Sequence, residues 1–138
     1  MKLLQIIIFL IPLNLMAHDG HLHNTDTSSI FIITPQNKSE VSNPINIKFG
    51  LTGMNIVPAG VEKERSGHHH LLIDVKELPD MNNPIPSTPN HIHFGKGQTE
   101  TTITLTPGKH TLQLLLGNHL HVPHNPPVIS KKITINVK

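Results

Sequence analysis

The chain has 138 residues, twelve of them His, with 11 Lys and Arg against 9 Asp and Glu and no Cys, Trp or Tyr. Its formal charge of +2 is spread along the sequence, so no basic face is offered to nucleic acid or anionic lipid. The lack of Cys excludes disulfides, thiolate copper, iron–sulfur clusters, Cys-type zinc sites and cysteine catalysis; Phe31, Phe49 and Phe94 are the only aromatics after residue 17, which argues against sugar binding by stacking.

Residues 1–17 read as a secretory signal. Lys2 forms a short positive start, Leu3 to Leu15 is apolar except for Gln5, Pro12 and Asn14, and Leu15-Met16-Ala17 ends on a small residue suited to cleavage. The run is too short to span a bilayer and no other segment approaches that length, so the expected product is periplasmic or secreted with no transmembrane anchor. Cleavage would leave one domain of about 120 residues. Residues 18–29 are polar and lack periodicity, as in a flexible arm, and carry His18, His21 and His23.

From residue 30 to 138 the texture is that of short strands. Ile30-Phe31-Ile32-Ile33 runs into Pro35; Ile45, Ile47, Phe49 and Leu51 alternate with polar residues; Leu112, Leu114 and Leu116 do the same, as do Ile133, Ile135 and Val137. Turn residues separate the runs at Pro58-Ala59-Gly60, Gly95-Lys96-Gly97, Pro107-Gly108 and Asn125-Pro126-Pro127. Strands are expected at 30–34, 44–51, 69–75, 90–94, 98–105, 109–116 and 128–137, and no segment shows a helical stripe. About seven strands in this length fit an all-β, antiparallel, immunoglobulin-like sandwich. The Pro-rich stretch from Leu78 to Pro89 is expected to cross between the two sheets.

In that arrangement the connections 52–68, 95–97 and 117–127 share one end of the sandwich. Three histidine groups fall there: His68-His69-His70, His91-x-His93 and His119-x-His121-x-x-His124. Alternate residues of a strand share a face, so His68 with His70, and His91 with His93, can each present two imidazoles to one ion. Crowded imidazoles repel when protonated, whereas a divalent cation uses their neutral nitrogens. His110 follows the Pro107-Gly108 turn, roughly 20 Å of strand from the third group, and is expected to be structural. In the arm, cleavage after Ala17 would make the amine and imidazole of His18 a Cu(II) chelate; cleavage one residue later would give Asp19-Gly20-His21, an amino-terminal Cu(II) and Ni(II) pattern. Imidazole donors, with only Met54 and Met81 after the signal, point to Cu(II) or Zn(II) as the ion.

At these residues the chain resembles a family of bacterial exported proteins, the domain of unknown function numbered 4399. The resemblance runs through most of Asn46 to Lys138, in KFGLTGMNIVPAGVEK, GHHHLLID, NHIHFGKGQTETT, PGKHTLQLLLGNHLHVPHNPP and ITINV. It implies that His68, His69, His70, His91, His93, His110, His119, His121 and His124 all belong to the family pattern, and it leaves the His18-to-His23 arm outside.

The leading expectation is a non-enzymatic protein that handles or buffers a metal ion in the cell envelope, since no nucleophile motif is present. A small zinc enzyme with three His ligands, an open position and Glu100 or Asp74 as base is the second. A pH- or partner-sensing envelope module is the third.

Overall fold

The computed structural model describes residues 27–138; the expected signal at 1–17 and residues 18–26 of the expected arm lie outside the described residues. Nine strands run in chain order among the described residues: β1 (Ser29–Thr34), β2 (Glu40–Val41), β3 (Ile45–Thr52), β4 (Asn55–Ile56), β5 (Ser66–Ile73), β6 (His91–His93), β7 (Glu100–Ile103), β8 (Gly108–Gly117) and β9 (Ile133–Val137). They form an all-β sandwich. One sheet has the order β1-β3-β7 and the other β2-β9-β8-β5, with β4 and β6 sharing the far edge of β5.

The alternating runs become strands because one face of each is buried. Ile45, Ile47 and Phe49 of β3 meet Leu112, Leu114 and Leu116 of β8 and Ile135 and Val137 of β9 in the main core. Two parallel contacts, β2 with β9 and β4 with β5, involve strands of two residues and join an otherwise antiparallel set.

β5 breaks the alternating pattern, for every residue of SGHHHLLI is buried. Its inward residues Leu71 and Ile73 join the main core, while Leu72 joins Leu115 and Ile85 in a second apolar cluster on the opposite face of the larger sheet. That outer face is covered by the irregular chain around Met81 and Ile85 and by Ile129.

The stretch from Leu78 to Pro89 therefore does not cross between the sheets. β6 returns antiparallel beside β5 in the same sheet, with His70, Leu71 and Leu72 opposite His93, Ile92 and His91. The crossing comes later, through the turn at Gly97 (φ 77°), after which the Thr99 carbonyl accepts from the Phe49 N–H of the smaller sheet at 2.8 Å. A run of Pro residues marks irregular backbone without saying which surface it covers.

Candidate metal centre

β5 sets the geometry of the histidines. His68 and His70 point to the outer face of the larger sheet, and His69 points inward, its ring 5.1 Å from that of Phe49 and its Nδ1 3.2 Å from the Gln98 carbonyl. Register adds a third ring, because His93 of β6 lies directly opposite His70. On the other side of β5, Gly117 lies opposite His68. Potential ligand nitrogens of His68, His70 and His93 all lie within 4.8 Å of one another.

A fourth ring arrives from the connection between β8 and β9. His121 ends a turn in which its N–H donates to the Asn118 carbonyl at 2.9 Å, and its backbone adopts a left-handed φ of 66°. Such a φ is uncommon outside Gly, though His tolerates it better than most residues. The turn brings His121 Nε2 to 3.1 Å from His93 Nε2.

The four rings surround one point. The six centroid separations are 4.9 Å for His68–His70, His68–His93 and His68–His121, 4.7 Å for His93–His121, 5.1 Å for His70–His93 and 6.0 Å for His70–His121. Four imidazoles bound tetrahedrally at about 2.0–2.1 Å would hold their nitrogens roughly 3.3 Å apart and their ring centres roughly 5 Å apart. The ring-centre spacing suits such a set, although the ligand nitrogens that all lie within 4.8 Å of one another are those of His68, His70 and His93, which His121 Nε2 approaches through His93.

Glycine backbone makes the room. A Cβ on Gly117 would lie 2.8 Å from His70 Cε1, and one on Gly95 would collide with the His93 ring.

Burial explains the charge state. His68 and His70 are 0% and 1% exposed, and neither ring nitrogen of either has a hydrogen-bond partner. Burial, reinforced by neighbouring His121 and His93, pushes the His68 imidazole down to about 4. Burial, followed by repulsion from His68, His93 and His121 and opposed only by a contact with the His68 backbone that falls short of a hydrogen bond, pushes His70 down to about 3. His93 is lowered by the same two causes, burial first and then His121. His68, His70 and His93 are thus favoured in the neutral form, the one that binds a metal. An unpartnered buried polar atom costs about 1–3 kcal/mol, which ligation would relieve at one nitrogen of each ring.

The remaining expected ligands stand outside this group. His69 faces the main core. His91 shares the outer face but sits beside Leu72, with Nδ1 3.0 Å from Thr88 Oγ1. The His119 carbonyl accepts from the Gly60 N–H at 3.1 Å. His124 packs near Gly67; burial lowers its pKa against a hydrogen bond with the Ser66 backbone, and its Nε2 is unpartnered. The centre also lies on the outer face of one sheet, beside the second apolar cluster, where an end of the sandwich was expected. His18, His21 and His23 lie outside the described residues.

His110 is separate from the centre. Its Nδ1 donates to Asp74 Oδ2 at 2.7 Å and its Nε2 to the Thr106 carbonyl at 2.8 Å. The Asp74 hydrogen bond, aided by Thr106 and opposed by burial, raises its pKa. Asp74 Oδ1 also accepts the Thr111 N–H at 2.8 Å, so both oxygens of this carboxylate serve the β5–β8 junction. Glu100 lies on β7 of the other sheet, 3.8 Å from Lys48.

The family model of the domain of unknown function DUF4399 matches residues 47–138. The chain belongs to this family. The DUF4399 match contains all four clustered histidines and the three glycines that pack against histidine rings, Gly67, Gly95 and Gly117. No curated protein and no solved structure matches the chain.

Proposed function

We propose that this DUF4399 protein is an exported metal-binding protein of the periplasm or extracellular space. It holds one Zn(II) or Cu(II) ion on His68, His70, His93 and His121, and it handles or buffers that ion in the cell envelope. The observation that carries the reading is the set of four mutually packed imidazoles, two of them fully buried with no other partner. Tetrahedral spacing favours Zn(II), since Cu(II) prefers a tetragonal set, while the Irving–Williams order favours Cu(II) where the ligands can adjust.

The zinc-enzyme reading has less support. A catalytic zinc needs an open position and a nearby base. Four rings would supply a full tetrahedral complement in this reading, Asp74 is engaged with His110 and Thr111, and Glu100 is on the other sheet. A pH-sensing role is also less well supported at this site, because His68 and His70 stay neutral far below the usual imidazole range.

Calorimetric titration of the purified mature chain with Zn(II) and Cu(II) tests the proposal. With His18, His21 and His23 replaced by Ala to remove the arm, one equivalent should bind, and adding His68→Ala, His93→Ala and His121→Ala should abolish it. Equal uptake by the two proteins would refute the assignment.

A further inference from the structure

Three of the four ligands are fixed by sheet register. His68 and His70 are two residues apart on β5, and His93 of β6 is the register partner directly opposite His70. The fourth comes from a turn, and the turn is organised by one side chain. Asn118 Oδ1 accepts the N–H groups of Leu120 at 2.8 Å and Val122 at 3.1 Å. The Asn118 backbone closes the same turn, accepting from the His121 N–H and donating to the Val122 carbonyl, both at 2.9 Å. Beyond the turn, the His121 carbonyl accepts the Ile85 N–H at 2.9 Å.

The turn also borders solvent. Leu120, beside His121, is 60% exposed, whereas His68 and His70 are sealed beneath the sheet's cover. A ligand on a short exposed turn can leave and return at far lower cost than one whose strand must break a ladder. With His121 displaced, three strand-borne imidazoles would still hold the ion and one position would be open, as in three-ligand metal sites.

We propose that His121 is the exchangeable ligand of the four-imidazole centre and that Asn118 is the positioning residue that sets its rate of exchange. This rests on the metal-binding reading above. The ion would leave when a chelating donor takes the position given up by His121 and then replaces the bonds from the three strand ligands one by one with its own donor atoms. The metal changes neither charge nor oxidation state in the exchange.

Zinc-loaded full-length mature protein, mixed rapidly with the chromophoric chelator 4-(2-pyridylazo)resorcinol, reports the release rate. Asn118→Ala should still bind one ion per chain but release it at least tenfold faster. Asn118→Asp, which can accept the same two N–H groups, should restore a rate near wild type. His121→Ala should retain one ion, release it faster still, and be slowed by added free imidazole filling the vacant position. Wild-type release rates in both Asn118→Ala and His121→Ala would overturn the proposal. So would loss of the ion from His121→Ala as complete as from His70→Ala. Failure of the wild type to take up zinc would overturn the four-imidazole reading itself, and this inference with it.

Discussion

Gly117 shows how narrowly single residues define the centre. It lies opposite His68 across the β5–β8 pair, and a methyl group there would press on His70 at 2.8 Å. Gly117→Ala should therefore turn the His70 ring and weaken metal binding at least tenfold, about 1.4 kcal/mol, measured by competition with a chelator of known affinity. Its effect on the apo-protein's melting temperature should be smaller. The His110–Asp74 pair gives a residue-scale test away from the metal. The folded-state pKa of His110 is raised, so its contribution is fully present below the unfolded value near 6.5 and is lost as pH rises through the folded value. Asp74→Asn should remove about 1 kcal/mol at pH 6, a charged hydrogen bond discounted for the 40% exposure of the Asp74 side chain, and less at pH 9. Urea unfolding at the two pH values measures the difference; an equal loss at both would mean that His110 is not charged in the pair.

Among the elements, β5 explains both what the sequence discloses and what it conceals. Alternation exposed β3, β8 and β9 because each has a face in the core and a more open face, while β1 was legible as an apolar run ending at Pro35. β5 has no open face, so SGHHHLLI carries no alternation of buried and open residues, and its outward face looks polar because Ser66, His68 and His70 lie on it. The His68 and His70 pair was legible from the two-residue period of a strand. The choice of His93 over His91, and of His121 over His119 and His124, was not. The first depends on the β5–β6 register and the second on a turn built by Asn118, and both are tertiary facts. β2 and β4 are too short for any period to show. The cover over β5 has its own test. Ile85 is 5% exposed and packs with Leu72 and Leu115, so Ile85→Ala should cost about 2–4 kcal/mol in urea unfolding. A loss below 0.5 kcal/mol would show that the Leu78–Pro89 stretch does not seal the outer face.

For the whole molecule, the proposed metal centre would tie the β5–β6 pair to the connection between β8 and β9. His68 and His70 lie in the middle of the larger sheet, His93 at its edge, and His121 in the connection between β8 and β9. With no Cys in the chain, no disulfide can link these segments, whereas a bound ion could. Free ion at 100 times its dissociation constant should stabilise the fold by about 2.7 kcal/mol, seen as a higher melting temperature that a chelator reverses. The most direct measurement is X-ray absorption by the zinc-loaded mature chain in which His18, His21 and His23 have been replaced by Ala. One zinc per chain is expected, ringed by four imidazole nitrogens at about 2.0 Å. An oxygen-dominated shell, or fewer than three imidazoles, would contradict it.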